Sequence, residues 1–447
     1  MIDTAEAARR LGVSRRRVLA LIEAGDIAAE RLGRAWMVDE RSVERRLASP
    51  KLKGRPKLGQ KNLMSLKRCT LMNRNHEVLD FTYDAQRKTA SIDKVHPDAA
   101  WAPPGVFQEG RQPNPIDLAD WIRRRYMPPL RPESQRLMKL AGVTTVDELM
   151  FGALGLNLSD QYWFRPAGAE FDWHDVNFFE NGYAYDPTAP LRTPDSSTPG
   201  ALEKRWERID GVDYLVKGAS TAERREPYNE VLATQLAKRL LSDDEYVPYT
   251  LVEREGLACS ACPTFATEET EFVSAADAAV FAGISLGRDL YRSYADACER
   301  LGIADARVRL AKMIVFDHVS ANFDRHLGNF GLMRTVESLD GWRMAPLFDN
   351  GAAFFSRATM AELQRARYTW VSNPFEEYPS RQLARVEDLS WYDPQMLEGF
   401  PEEVEEALLK NPALPEGFAA RAAHHVQRNI NAVDDVAAEH AALYAGF

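Results

Sequence analysis

The spacing of hydrophobic and polar positions changes repeatedly along the chain, and each change predicts an element. Behind Thr4, the apolar residues Ala5, Ala8 and Leu11 recur at helical spacing, and Gly12-Val13 supplies a turn. Ser14 then opens a second helix with Val18, Leu21 and Ile22 on one face, ended by Gly25. Glu30–Leu32 and Ala35–Val38 read as a hairpin turning at Gly33-Arg34, and Ser42–Leu47 as a further helix. Between Lys67 and Lys94, the β-type runs Arg68–Met72, Val78–Tyr83 and Thr89–Ile92 are split by polar turns, which predicts a small antiparallel sheet. Helical periods occupy Ile116–Tyr126, Pro132–Ala141 and Thr145–Leu154, and the aromatic-rich stretches Ser159–Pro166 and Trp173–Phe179 predict a packing seam. Further on, Asp213–Gly218 reads as a strand, Asn229–Leu241 as a helix and Met344–Gly351 as a short apolar strand ending in Asp349. Val308–Val319 has a broad apolar face and predicts a largely buried helix.

Composition turns these elements into a folded, multidomain protein. The 447 residues correspond to roughly three domains of about 150 each, and 45% hydrophobic residues with nine Trp supply real cores. Four cysteines are too sparse for a disulfide framework, and the start MIDTAEAARR lacks the apolar region of a signal peptide. The longest apolar-leaning run, Leu149–Leu158, falls far short of the ~20 residues of a membrane span. A cytoplasmic protein without membrane embedding is expected. Expected boundaries are a domain of short helices and a hairpin at 1–50, a basic linker at 51–66, a small sheet with a helical subdomain at 67–189, and a larger body at 190–447.

Charge divides the chain. Residues 1–61 carry 15 Lys and Arg against 8 Asp and Glu, whereas the remaining 386 carry 41 against 58. Clustered cations on one small part suit a polyanion, because phosphate attraction depends on local charge and not on overall pI. The second helix places Arg15, Arg16 and Arg17 in its first turn, where the helix dipole disfavours cations and a phosphate backbone would offset the cost. The segment is similar to the winged helix-turn-helix of the excisionase and MerR-type families, with Arg34 at the tip of the wing. Lys51-Leu-Lys-Gly-Arg-Pro-Lys57 resembles an AT-hook, whose Arg55 would enter a narrow minor groove, and reads equally as a basic linker. DNA is the expected partner of this end.

The acidic body gathers phosphate chemistry. In Asp324-Arg-His-Leu-Gly-Asn329, Asp and Asn stand five residues apart, the spacing at which a catalytic loop lets Asp orient an attacking hydroxyl while Asn holds Mg²⁺. Asp349, at the end of an apolar strand and before Gly351, suits a second metal ligand, since Mg²⁺ prefers oxygens shared with phosphate. Lys217 sits among apolar residues and reads either as a phosphate-binding point charge or as a strand-end lysine reaching solvent. Glu230 either pairs with Lys217 or begins a helix where acids are favoured. Arg325 and His326 read as loop-shaping residues. Cys259-Ser-Ala-Cys262 has zinc-like spacing without a second pair, and a segment linking two lobes is the preferred reading.

Leu-Val-Lys217, Tyr-Asn-Glu230, Asp324-Arg-His-Leu-Gly-Asn329 and Ala-Pro-Leu-Phe-Asp349 follow the order found in HipA-like serine/threonine protein kinases, and the resemblance covers roughly residues 190 to 430. It implies an α+β, bilobal kinase-like body using ATP and Mg²⁺, with Asp324 as catalytic base, Asn329 and Asp349 holding the metal, and Lys217 and Glu230 at the ATP site. Asp195–Lys204 resembles the family's phosphate-binding loop, which places Gly200 against ATP and makes Ser197 the autophosphorylation candidate, with Ser196 and Thr198 beside it. Pro199 departs from a glycine-rich loop. The resemblance further implies a protein substrate, a toxin–antitoxin or stress-related role, and an antitoxin partner. Two rival readings are a DNA-binding regulator whose body senses nucleotide without catalysis, and a small-molecule or lipid kinase.

Overall fold

A computed structural model describes residues 1–11, 15–23, 27–32, 35–48, 66–108, 110–183 and 191–445. The chain is mixed α+β and divides into two compact units, Met1–Met64 and Ser65–Phe447. In the first, β1 (Ile2–Asp3) leads into α1 (Thr4–Leu11) and α2 (Arg15–Glu23), followed by β2 (Ala29–Leu32), β3 (Ala35–Val38) and α3 (Glu40–Ala48). The strands form one antiparallel sheet in the order β1-β3-β2. Ala7, Val18, Leu21, Val38 and Val43 make its core. The cap of α1 is one residue earlier than the sequence predicts: Asp3 Oδ1 accepts the Ala5 and Glu6 N–H groups at 2.8 and 2.7 Å. Thr4 is buried instead, and Ala7 rather than Ala5 is the innermost alanine.

Arg15 is exposed, and its guanidinium donates to Thr4 Oγ1 at 3.3 Å. Arg16 and Arg17 lie on α2. Their side chains, together with Arg34, Arg55, Ser14, Gly25 and the linker at 51–65, lie outside the described residues.

The second unit begins with β4 (Leu66–Asn73), β5 (His76–Asp84) and β6 (Thr89–Val95), joined by β7 (Tyr162–Pro166) into an antiparallel sheet of order β6-β5-β4-β7. Helices α4 (Pro115–Arg124), α5 (Pro132–Ala141) and α6 (Val146–Gly152) follow β6, and α7 (Trp173–Val176) and α8 (Phe178–Asn181) follow β7. The aromatic seam is the packing layer expected of it: Trp163, Trp173 and Phe178 are buried together with Met72 and Leu154.

A second antiparallel sheet, β10-β11-β9-β8, is built from β8 (Lys204–Ile209), β9 (Val212–Lys217), β10 (Thr250–Arg254) and β11 (Leu257–Pro263), with α9 (Arg225–Leu240) packed on it. The Cys259–Cys262 segment is thus an inner strand and not a linker. Three residues apart on β11, the two thiols point to opposite faces, Cys259 towards Val216 and Cys262 towards Val247 and Tyr249, so they cannot share one ion. Beyond Pro263 come β12 (Thr270–Ser274), α10 (Ala275–Phe281), α11 (Leu290–Arg300) and α12 (Ala306–Ser320). β13 (Gly331–Thr335) and β14 (Arg343–Met344) complete a third sheet with β12. The expected strand to Asp349 is only two residues long, and Leu347 continues it through a single parallel bridge to Tyr246. Helices α13 (Met360–Leu363), α14 (Pro379–Leu383), α15 (Phe400–Leu409) and α16 (Phe418–Ala445) end the chain. Leu310, Ile314, Phe316, Phe354, Phe400 and Val426 anchor the largest core, which fixes α12 and hence the loop that leaves it. No helix among the described residues is long and apolar enough to cross a membrane.

Candidate active site

Ala321, in the left-handed region with φ 52°, stops α12 and turns the chain into the Asp324 loop. The loop is then gripped from inside. Arg325 has no exposed surface; it takes both Asp317 oxygens at 2.9 Å and donates to the carbonyls of Asn329 at 3.0 Å and Phe348 at 2.8 Å. Its last contact is Asn350 Oδ1 at 2.6 Å. One guanidinium therefore ties α12, the Asp324–Asn329 loop and the Asp349 segment together. Asn322, also buried, donates to Asp317 Oδ1 and accepts from the Asp324 N–H. His326 Nδ1 accepts the Gly328 N–H at 3.0 Å, a loop-shaping contact.

Asp324 itself is held by its backbone while its side chain reaches solvent. Surrounding protein still removes enough water to raise its carboxyl above the ordinary value; His326 opposes this, the Asp349 charge adds to it, and Arg357 and Arg325 oppose it. Asn329 donates its amide N–H to the Asp324 carbonyl at 2.9 Å, which commits the nitrogen and leaves the side-chain oxygen as an acceptor.

The second half of the site is a buried charge cluster. Lys217, 3% exposed, donates to Glu230 Oε1 and Asp349 Oδ1, both at 2.7 Å, and to the Tyr249 hydroxyl at 3.0 Å. The open alternatives for Lys217 and Glu230 are thereby decided: the lysine does not reach for solvent, and the glutamate is its partner. Glu230 Oε2 accepts the Asn350 N–H at 2.8 Å, and Tyr249 accepts the Asp349 N–H at 3.2 Å. Asp349 stands in the left-handed region at φ 57°, a strained backbone that these contacts hold in place.

Burial disfavours every charge here, yet Asp349 and Glu230 outweigh it and hold Lys217 well above its usual value. Burial also works to raise Asp349, but Lys217 and Lys204 hold its carboxyl well below the usual carboxylate range. Glu230 is raised by burial, against the pull of Lys217 and with the Asp349 charge adding.

Lys204 and Tyr249 carry no signal in the sequence. Lys204 lies directly across from Lys217 in the β8–β9 register, is 8% exposed, and stands 3.8 Å from Asp349 Oδ2. Desolvation lowers its pKa. Gly200 lies over it at φ 99°, a backbone angle that favours glycine, and a Cβ there would stand 2.5 Å from the Lys204 amine, the mobile end of that side chain. The segment before Gly200 is closed: Ser196 and Ser197 are 0% and 1% exposed, and the Ser197 hydroxyl donates to the Leu156 carbonyl. Arg131, from the start of α5, donates to the carbonyls of Thr198 and Gly200. The structure therefore gathers Lys217, Glu230 and Asp349 in direct contact, joins Asn329 and Asp324 to them through Arg325, and seats Gly200 beside Lys204.

Residues 196–408 match the family model of a HipA-like C-terminal domain, and residues 1–50 match that of a helix-turn-helix domain. The chain carries a HipA-like domain behind a helix-turn-helix. Among solved structures it is similar to the Helicobacter pylori proinflammatory kinase CtkA, at 16% identity and TM-score 0.40 over 55% of this chain and 95% of that one. It is also similar to a chain of the Shewanella oneidensis MR-1 toxin–antitoxin complex of HipA, HipB and operator DNA, at 15% identity and TM-score 0.47 over 82% of this chain and 97% of that one. No curated protein matches it.

Within the HipA-like domain, Arg325→Met strands the buried Asp317 carboxylate and is expected to destabilise the body by about 3–5 kcal/mol in denaturant unfolding. The charge cluster predicts a pH signature. Asp349, with its depressed carboxyl, contributes stability that is present above its unfolded value of about 3.9 and lost as pH falls below it. Lys217→Met leaves two buried carboxyls that bind protons more readily folded than unfolded. Unfolding free energy measured from about pH 5 to 8 then falls with rising pH more steeply than in the wild type.

Proposed function

We propose that the body at 65–447 transfers the γ-phosphoryl group of Mg-ATP to a serine or threonine hydroxyl of a protein. The observation that carries this reading is the single guanidinium of Arg325 holding the Asp324–Asn329 loop against the segment that bears Asp349, which in turn contacts Lys217. Asp324 accepts the proton of the attacking hydroxyl; its raised carboxyl suits a base working near neutrality better than an ordinary aspartate would. Lys217 and Lys204 bind phosphate oxygens as point charges, and Glu230 and Tyr249 keep Lys217 aimed. Asn329 and Asp349 are the residues that would hold Mg²⁺, and they fit it: one offers a free amide oxygen and the other a carboxylate held ionised. Bound there, the ion neutralises charge on the phosphates.

Ser197 remains the proposed autophosphorylation site. Because its hydroxyl is buried against Leu156, modification requires the segment around it to come away from Arg131. The helix-turn-helix is proposed to bind DNA through Arg15, Arg16, Arg17 and Arg34, and the AT-hook-like linker through Arg55. With a HipA-like domain behind it, a cytoplasmic toxin–antitoxin role follows, in which an antitoxin protein is the partner and the DNA-binding unit tethers the kinase or controls its own gene.

Labelled ATP and Mg²⁺ test the catalytic reading. Asp324→Asn is expected to cut transfer to protein by about 10²–10⁴-fold with the circular dichroism spectrum unchanged; equal labelling by both proteins sinks it. For the first unit, replacing Arg16 by alanine should lower the salt slope of DNA binding by about one counterion. A slope that does not move removes Arg16 from the interface.

A further inference from the structure

At the C-terminal end of α12, a pocket of about 230 Å³ shares no residue with the Lys217–Asp349 cluster. Tyr368, Trp370 and Tyr378, between α13 and α14, form one side; His318 on α12 and His425 and Arg428 on α16 form the other. The Tyr368 and Trp370 rings are nearly parallel, 19° apart in plane with centroids at 6.4 Å. Each also faces an imidazole, His425 and His318 respectively, at 5.8 Å. Aromatic faces of this kind take a further planar ring by stacking.

The two imidazoles define the polar character. His425 Nε2 shares a hydrogen bond with the Leu363 carbonyl at 2.9 Å, so the proton sits there and Nδ1 is an acceptor. His318 is 8% exposed, and its Nδ1 has no hydrogen-bond partner. Burial pushes the His318 pKa down to about 4, which keeps the ring neutral near neutral pH. His425 Nδ1 is the acceptor that this wall offers, so a ligand carrying an N–H group suits it.

The rim is cationic. Arg428 uses one nitrogen on the Ala366 carbonyl at 2.7 Å, beside the exposed Arg365 and Arg367, and the charges of Arg428 and Arg421 both act on His425. This clustering stands out in a body with 58 acidic against 41 basic residues. The arginines disfavour a cationic guest and favour one that carries a phosphate.

We propose that this pocket binds a nucleotide, its base against Tyr368 and Trp370 with an exocyclic amino group towards the imidazoles, and its phosphate on Arg428. The chemistry is shared by a free mononucleotide and by a nucleotide within a single strand. The pocket binds its ligand whether or not Asp324 catalyses transfer, so loss of one activity leaves the other standing.

The test is equilibrium binding of adenosine, AMP and an adenylate dinucleotide to the full chain without magnesium. Tyr378→Ala, at a residue 52% exposed and safe for folding, and Trp370→Leu should each weaken AMP binding about tenfold. Arg428→Gln should weaken AMP about tenfold while leaving adenosine nearly unchanged. Tighter binding of the dinucleotide than of AMP assigns the ligand to a strand, and equal binding assigns it to a free nucleotide. Absence of saturable AMP binding, or equal binding by wild type and both aromatic variants, overturns the proposal.

Discussion

The site depends on the Arg325 guanidinium. A fully buried arginine is tolerable only when its donors are used and its charge is matched, and here Asp317 supplies the charge while two carbonyls and the Asn350 side chain take the remaining donors. These acceptors belong to three different pieces of the chain, α12, the loop after it and the Asp349 segment. α12 is anchored in the largest core, so the arginine transmits that rigidity to a loop and to a strand end that have little packing of their own. Two left-handed residues, Ala321 and Asp349, mark the places where the backbone bends to meet it.

Around this frame, one lysine serves two carboxylates. Lys217 contacts both Glu230 and Asp349 at 2.7 Å, and Lys204 stands 3.8 Å from Asp349 Oδ2, so two cations face two carboxylates. Tyr249 adds a neutral hydroxyl that holds both Lys217 and the Asp349 backbone without altering the charge balance. The closed segment at 193–200 is governed from outside the two sheets, by Arg131 and by the Leu156 carbonyl. The part of the chain before residue 190 therefore shapes the segment beside Lys204.

Much of this was legible where the chemistry is local in sequence. Asp324 and Asn329 stand five residues apart on one loop, and Glu230 lies on a helix whose period is plain. Lys204 was not legible, because a lysine opening the polar run Lys-Arg-Trp-Glu-Arg reads as solvent-facing until the β8–β9 register sets it opposite Lys217. Tyr249 and Arg131 escape for the same reason: each acts across more than thirty residues of chain, through pairings that no periodicity encodes. The cap of α1 was misread because threonine is a good local capping signal, and Cys259–Cys262 was read as a segment linking two lobes because its place as an inner strand is set by pairing with β9 and β10.

Period, cap and spacing are properties of neighbouring residues, so many of the elements, the division of charge between a basic head and an acidic body, and the polar residues set among apolar ones could be read from chain order alone. Only the tertiary structure decided which of those polar residues meet. Arg325 reaching Phe348, Lys217 choosing Glu230 and Asp349, and the two histidines closing one pocket all depend on strand register and helix packing, which set distances between residues that the chain order leaves far apart.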